Sequence, residues 1–285
     1  MSRNRWPELC KKYELDDGLP VRPVGPWTED KLFFWNRYVE ITTTAMVGHQ
    51  KWPAGLAYVD FFGGPGICLV ETTNKRVPGS ALIAANAPKP FQSLLVSELD
   101  PGLAMALRTR LSQSPAAPSA RVFEGDCNDR VHDIVKQIPP RALTLAFVDP
   151  ENLRIDFSTV QTLASAGQVD LLVLFADRMD IVRNVDLYER QPNSVLDRML
   201  GPHSEWRKAW QQLQNRTAEN ISDFFATEYK ERLRRRLGYS VFGDKVIRTQ
   251  RGPLYRLIFA SKNRKGLEFW NKVTKKDRGG QTEMF

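Results

Sequence analysis

From residue 56 onward, short apolar runs alternate with amphipathic stretches. The apolar runs predict five strands, at 56–61, 93–98, 121–124, 142–148 and 169–175. Runs that are apolar almost throughout are typical of strands buried on both faces, as in a parallel sheet covered by helices. The stretches between them predict crossover helices at 80–86, 101–111, 128–137 and 157–166. This alternation predicts an α/β doubly wound fold.

The regular alternation stops after the fifth strand. Residues 177–238 predict a helical insertion, in which one helix is capped by Thr217 and ends at Gly238. Trp206 and Trp210 are four residues apart and therefore share one face of another helix. That face is either part of the core or a surface on which a base can stack.

A different pattern follows the insertion. Segments 239–247 and 254–260 are strand-like, and the turn between them contains Gly252 and Pro253. They predict an antiparallel hairpin at the end of the sheet.

The chain begins with a segment of different character. Residues 1–26 mix charges with Pro20, Pro23 and Pro26, which disfavour helix, and this predicts an extended arm laid over the domain or trailing from it. Thr28 then caps a helix that stops near Gly48 and precedes the first strand. We predict that residues 27–285 form one domain.

Composition narrows the class of protein. A chain of 285 residues with 42% hydrophobic residues can bury a full core. Its most apolar stretches, 143–148 and 171–176, are too short to span a bilayer, so we predict a cytoplasmic protein without membrane contact. The three cysteines and three histidines are widely dispersed, which predicts no metal site.

The net charge of +8 is unevenly distributed. Residues 230–278 hold 16 Lys and Arg against 4 Asp and Glu, whereas the rest of the chain is net acidic. A basic segment of this kind suits nucleic acid, and it also suits a solvated helix face with internal ion pairs.

The segment after the first predicted strand is a candidate ligand site. It reads Asp60-Phe61-Phe62-Gly63-Gly64-Pro65-Gly66. Glycines at this place let backbone approach a ligand, although they also make purely structural turns. A dinucleotide site would show G-x-G-x-x-G opening a helix. A glycine turn preceded by an acid instead suits a ligand with a positive charge and an amino group, such as S-adenosylmethionine.

Acidic residues at the ends of the later strands support this interpretation. Glu98 ends the second strand, where a carboxylate accepts hydrogen bonds from ribose hydroxyls. Asp126 follows the third strand and is placed to accept from the adenine amino group, with Cys127 beside it. Glu98 lies 38 residues after Asp60, which exceeds the spacing of a compact unit. The surplus, 68–78, predicts a polar loop over the ligand.

The fourth strand carries the candidates for chemistry. Asp149 ends that strand and would face a transferable methyl group, where it accepts a hydrogen bond from a substrate amine or hydroxyl. Its alternative role is to cap the following turn. Glu151 and Asn152 are weaker candidates of the same kind. Lys31 lies near them only if the first helix folds over this edge, and is otherwise a surface lysine.

Several segments together resemble the three-Cys-motif partner proteins. They are Trp27-Thr28-Glu29-Asp30-Lys31-Leu32, Tyr58 to Gly66, Pro78-Gly79-Ser80, Phe147-Val148-Asp149-Pro150, Arg183-Asn184 and Leu254 to Ser261. The resemblance covers most of the chain. It implies a Rossmann-like class I methyltransferase fold, S-adenosylmethionine as cofactor and a three-Cys-motif protein as partner.

The chain departs from that family at one place. Members generally follow Asp-Pro with an aromatic residue and Gly, whereas this chain has Glu151-Asn152. Methyltransferases that modify a base amine carry an aromatic residue there, which stacks the base. Two hypotheses follow: a methyltransferase acting on nucleic acid or on a substrate presented by a partner, and a non-catalytic binding module that serves a partner.

Overall fold

The computed structural model describes residues 4–150 and 153–281. In this part of the chain the strands are β1 (Arg22–Val24), β2 (Leu56–Asp60), β3 (Ile67–Val70), β4 (Lys75–Pro78), β5 (Ser93–Glu98), β6 (Ala120–Glu124), β7 (Leu143–Val148), β8 (Gln168–Phe175), β9 (Val241–Thr249) and β10 (Gly252–Ser261). The α-helices are α1 (Trp6–Lys12), α2 (Thr28–Met46), α3 (Ser80–Ala85), α4 (Pro101–Ser112), α5 (Cys127–Val135), α6 (Phe157–Ala164), α7 (Val182–Arg190), α8 (Val195–Leu200), α9 (Trp206–Gln212), α10 (Ala218–Leu237) and α11 (Arg264–Thr274). A π-helical turn, Asp177–Ile181, precedes α7.

A seven-stranded sheet forms the centre of the molecule. Its strand order is β6-β5-β2-β7-β8-β10-β9. The first five strands in this order pair in parallel, while β10 is antiparallel to both of its neighbours. The sheet thus has the predicted Rossmann-like methyltransferase architecture: a mostly parallel sheet that ends in an antiparallel hairpin. The chain order reverses between β2 and β7, and ligands of open α/β sheets bind at such switch points, beyond the carboxyl ends of the strands.

Helix α2 crosses one face of the sheet. The Trp35 ring lies 4.9 Å from Phe147 and the Tyr38 ring 5.0 Å from Phe259, measured between centroids. The Tyr38 hydroxyl donates to Asp170, near the start of β8. The helix therefore runs antiparallel to β7 and β8, and its first turn lies over the carboxyl edge of the sheet.

The N-terminal arm differs from its prediction. Residues 6–12 form α1, which buries Trp6 and Cys10 in the hydrophobic core. Pro7 stands in the first turn of α1, where its missing N–H would have no helical partner. The later part of the arm is extended as predicted, and β1 pairs in parallel with β3.

Residues 68–78 also differ from the prediction of a polar loop. Most of them belong to an antiparallel hairpin of β3 and β4, which with β1 makes a second, three-stranded sheet. The Gly79 N–H donates to the Gly66 carbonyl at 2.7 Å. Helix α3 therefore begins beside the glycine turn, and the hairpin is an excursion from an otherwise compact βαβ unit.

Residues 177–238 are helical, as predicted. The Thr217 hydroxyl accepts from the Asn220 N–H, and Gly238 ends α10 in a left-handed conformation with φ of 75°. Trp206 and Trp210 are buried against Phe225, so they belong to the core and offer no stacking surface. Among the described residues, no helix is both long enough and apolar enough to cross a membrane.

Helix α11 was not predicted from the sequence. This helix buries Phe269, Trp270 and Val273 and leaves Lys265 and Lys272 exposed. The Trp270 ring stacks on Phe259 at a centroid distance of 5.5 Å, so α11 covers the same face of the sheet as α2.

Candidate functional site

Asp60 supports the turn that follows β2. One carboxylate oxygen accepts from the Phe62 N–H at 3.0 Å, and the other accepts from the Tyr58 hydroxyl at 3.0 Å. Burial raises the pKa of Asp60 to about 6, while hydrogen bonds from Ser80, Phe62 and Tyr58 act in the opposite direction. The side chain is 0% exposed and lines neither cavity of the site, so Asp60 supports the turn from beneath.

The turn itself requires its three glycines. A Cβ on Gly63 would lie 2.2 Å from Val96 Cγ1. Gly64 and Gly66 have φ of +57° and +89°, in the left-handed region that favours glycine. A Cβ on Gly66 would also lie 3.0 Å from Leu107 Cδ1. Steric and backbone constraints therefore explain the glycines at these positions, in addition to the predicted role of admitting a ligand.

The acid at the end of β5 contacts this turn directly. One Glu98 oxygen accepts from the Gly64 N–H at 2.7 Å, and the other accepts from the Asp100 N–H at 3.0 Å. Each carboxylate oxygen has two acceptor positions, so Glu98 retains capacity for further donors. This hydrogen bond between Glu98 and the glycine turn was not predicted from the sequence.

The loop after β6 carries Asp126 and Cys127. Asp126 is exposed, and one of its oxygens caps α5 by accepting from the Asn128 N–H at 2.8 Å. Cys127 is buried, and burial raises the pKa of its thiol to about 12. The thiol is therefore protonated at neutral pH and acts as an apolar group.

Two adjoining cavities lie at the carboxyl edge. The larger has a volume of about 440 Å³, and the predicted residues that line it are Phe62, Glu98, Asp126, Cys127 and Asp149. The smaller has a volume of about 130 Å³ and is lined by the predicted residues Phe62, Gly63, Gly64, Gly66 and Asp149. Phe62 and Asp149 line both, so the cavities meet there. Of the other predicted site residues, Asp60 lies beneath, and Glu151 and Asn152 fall outside the described residues.

Lys31 was interpreted as a surface lysine unless α2 folds over the site, and α2 does so. The side chain is 10% exposed, and its ammonium forms an ion pair with Asp149. Lys31 also lines the smaller cavity. Thr28 was predicted to cap α2, but Trp27 occupies the cap position and Thr28 is the first helical residue.

Several residues of the lining were not predicted from the sequence, among them Arg22 and Leu99. Arg22, in β1, lines both cavities, and a Cβ on Gly64 would lie 3.9 Å from its Cδ. No local pattern could have identified it, since its place depends on the pairing of β1 with β3. Leu99 lines the larger cavity and is 63% exposed, so it offers an apolar surface to a flat ring. Leu99 could have been identified from the sequence, because it directly follows Glu98.

The site therefore combines an apolar surface with groups of both charges. The described residues contain no group of three His, Cys, Asp or Glu side chains that could hold a metal ion. Glu98 and Asp126 can accept hydrogen bonds in the larger cavity, and Arg22, Lys31 and Asp149 are charged groups lining the smaller one.

Comparisons with known proteins give distant structural likenesses. No protein-family model matches the chain. No curated protein matches it. Among solved structures, an O-methyltransferase from Bacillus cereus in complex with SAH aligns at 10% identity over 92% of both chains, with a TM-score of 0.47. The O-methyltransferase TomG from Streptomyces achromogenes aligns at 12% identity over 92% of this chain and 100% of its own, with a TM-score of 0.43. The METTL16 methyltransferase domain aligns at 12% identity over 87% of this chain and 75% of its own, with a TM-score of 0.46. Likenesses this distant assign no ligand and no reaction.

Proposed function

We propose that this chain is an S-adenosylmethionine-dependent methyltransferase. The observation that carries the proposal is that the glycine turn, Glu98 and Asp149 line two adjoining cavities at the switch point of the sheet. The larger cavity, of about 440 Å³, lies within the ~300–1,000 Å³ typical of small-molecule clefts. An adenosine half in the larger cavity and an amino-acid half in the smaller one would match the groups that line each.

The chain's own residues fit both halves of this cofactor. Glu98 would accept from the ribose hydroxyls, and Asp126 would accept from the adenine amino group. Leu99 would pack against the adenine ring. The glycine turn would place backbone close to the amino-acid half, where a side chain would obstruct it.

Asp149 lies where chemistry would occur. The sulfur atom joins the adenosine and amino-acid halves, and Asp149 lines both cavities where they meet. When bound, the cofactor supplies an electrophilic methyl group. Lys31 positions the Asp149 carboxylate through their ion pair. Asp149 would accept a hydrogen bond from the acceptor O–H or N–H and take its proton as the acceptor gains the methyl group. Glu151 and Asn152 stay predictions.

We further propose that the acceptor is nucleic acid bound by the basic segment 230–278, or a substrate presented by a partner such as a three-Cys-motif protein. The structure divides this segment between two edges of the sheet. Arg234 belongs to the last turn of α10 and lies over Phe242, near the start of β9. Arg248 and Arg251 are exposed near the turn between β9 and β10, at the carboxyl edge. These two arginines therefore support a nucleic-acid acceptor better than the α10 arginines do.

The first test is binding. Saturation at 100 times the dissociation constant would stabilise the protein by about 2.7 kcal/mol, which thermal denaturation detects. The absence of a shift with both S-adenosylmethionine and S-adenosylhomocysteine would refute the proposal. Competition with NAD tests the dinucleotide alternative.

The second test separates enzyme from binding module. Methyl-labelled cofactor is incubated with the protein and with RNA, DNA or protein fractions. We expect label in one fraction, and we expect Asp149→Asn to bind the cofactor but to transfer no label. Binding without transfer to any fraction would support the non-catalytic alternative.

A further inference from the structure

One buried guanidinium ties the N-terminal arm to the glycine turn. Arg110, in α4, is 4% exposed. Its Nε and Nη2 donate to the two Asp17 oxygens, each at 2.8 Å. Its Nη1 donates to the Pro65 carbonyl at 2.6 Å and to the Pro20 carbonyl at 2.8 Å. Its Nη2 also donates to the Leu19 carbonyl at 3.2 Å. Arg110 therefore binds three residues of the arm and one residue of the turn simultaneously.

We call the contacts of Arg110 with Asp17, Pro20 and Pro65 the clamp. Its central interaction is the ion pair between Arg110 and Asp17. A two-point contact between arginine and carboxylate is stronger and more directional than a neutral hydrogen bond. Arg76 adds a second cation, with its Nη2 2.7 Å from an Asp17 oxygen. The hydrogen bond from Arg110 is the largest influence on the pKa of Asp17, which is held well below its usual range. Asp17 therefore remains ionised and paired at neutral pH.

The clamp determines where the next residues of the arm go. Two residues after Pro20, Arg22 enters β1, where it is in register with Cys68 of β3. This pairing brings the Arg22 side chain over the glycine turn, with its Cδ 3.9 Å from the position of a Cβ on Gly64. Arg22 lines both cavities from there.

We propose that the arm completes the cofactor site: Arg22 binds the carboxylate of the cofactor's amino-acid half, and Arg110 is a positioning residue that holds Arg22 in place through the arm. This inference rests on the proposed function. Among the described residues, the cations that line the smaller cavity are Arg22 and Lys31. The planar guanidinium of Arg22 matches a carboxylate with two parallel hydrogen bonds, which an ammonium cannot do.

The experiment compares two ligands that differ by this one group. Calorimetry measures S-adenosylmethionine and decarboxylated S-adenosylmethionine on the full chain and on Arg22→Met. We expect the wild type to prefer the carboxylated ligand by at least tenfold. In Arg22→Met this preference should disappear, while affinity for the decarboxylated ligand changes less than twofold.

The matched control is Arg121→Met, which removes an exposed arginine near the start of β6 whose Nη1 donates to the Ala120 carbonyl at 3.0 Å. It should leave both affinities unchanged. Arg22→Lys keeps the charge without the planar fork and should retain only part of the preference. It also serves if Arg22→Met fails to fold.

Asp17→Asn tests the clamp, because it weakens the contact with Arg110 without touching the cavities. We expect a smaller loss of preference for the carboxylated ligand and no loss for the decarboxylated one. Equal losses for both ligands in Arg22→Met, or no loss for either, would overturn the role of Arg22. Equal losses in Asp17→Asn would overturn the positioning role. A wild type that binds neither ligand would instead refute the proposed function.

Discussion

Two buried aspartates occupy opposite edges of the sheet, and each accepts a hydrogen bond from a buried tyrosine. Asp60, at the carboxyl edge, accepts from Tyr58, and Asp170, near the amino edge, accepts from Tyr38 at 2.8 Å and Ser261 at 2.6 Å. Burial raises the pKa of each to about 6. A perturbed pKa therefore marks burial in this protein and does not by itself identify a functional site.

The two edges differ in what surrounds each aspartate. Asp60 supports a glycine turn beside cavities lined by Glu98, Lys31 and Asp149. Asp170 connects α2 to β10, and its cavity of about 200 Å³ is lined by apolar side chains such as Met46 and Phe269 and by polar ones such as His49 and Lys51. Both linings contain polar residues, so the position at the switch point of the sheet is what separates the candidate site from the structural network.

The largest expected effect is on the pH dependence of stability, and it is the same for both aspartates. The pKa of each aspartate is raised from 3.8 to about 6 in the folded protein. As pH rises, the aspartate therefore loses its proton at a lower pH in the unfolded chain than in the folded one. The stability that each contributes is fully present below pH ~4 and is lost as pH rises through about 6, a change of roughly 3 kcal/mol. As pH rises between those values, the unfolding free energy of Asp60→Asn and of Asp170→Asn should each increase relative to wild type by roughly 3 kcal/mol. Denaturant unfolding measures this difference. A gain in unfolding free energy in one variant alone would show that burial does not raise the two pKa values equally.

The second prediction distinguishes the two edges of the sheet by their effect on cofactor affinity. Asp60→Asn removes a carboxylate oxygen that holds the turn, so affinity for S-adenosylmethionine should fall at least tenfold, about 1.4 kcal/mol. Asp170→Asn is the matched control and should bind within twofold of wild type. Calorimetry at pH 7.5 measures both. Equal losses would mean that the amino-edge network also supports the site.

A smaller effect is expected from the tyrosine donors. Tyr58→Phe and Tyr38→Phe each remove one hydrogen bond to a buried carboxylate, which should cost roughly 1–2 kcal/mol of unfolding free energy. Cofactor affinity should fall about threefold in Tyr58→Phe only, the effect of losing one of several supports of the turn, less than ~1 kcal/mol. Thermal denaturation and calorimetry check the two parts. A larger affinity loss in Tyr38→Phe would contradict the comparison.

The smallest effect concerns the basic segment. Replacing Arg248 and Arg251 by Gln should weaken single-stranded RNA binding about threefold and reduce its salt dependence, because two charges at the carboxyl edge of the sheet are lost. Replacing Arg235 and Arg236 by Gln removes two charges at the other edge and should change little. Fluorescence titrations at two salt concentrations compare the pairs. A larger loss in the Arg235 and Arg236 variant would place the nucleic-acid surface at the amino edge of the sheet.

Much of the sheet and part of the site could be predicted from the sequence. Buried parallel strands must be apolar on both faces, so their positions show in short runs of residues. The glycine turn is likewise a local feature, because Gly64 and Gly66 need conformations that other residues disfavour. The acids Glu98, Asp126 and Asp149 stand at strand ends, and parallel topology brings such ends to one edge.

Only the tertiary structure decided which other side chains reach that edge. Lys31 meets Asp149 across 118 residues because α2 runs antiparallel to β7. Arg22 reaches the glycine turn because β1 pairs with a hairpin that appeared as a polar loop in the sequence. Local patterns determine which segments become helix or strand, whereas the contacts between distant segments depend on packing and charge pairing that no short window of sequence contains.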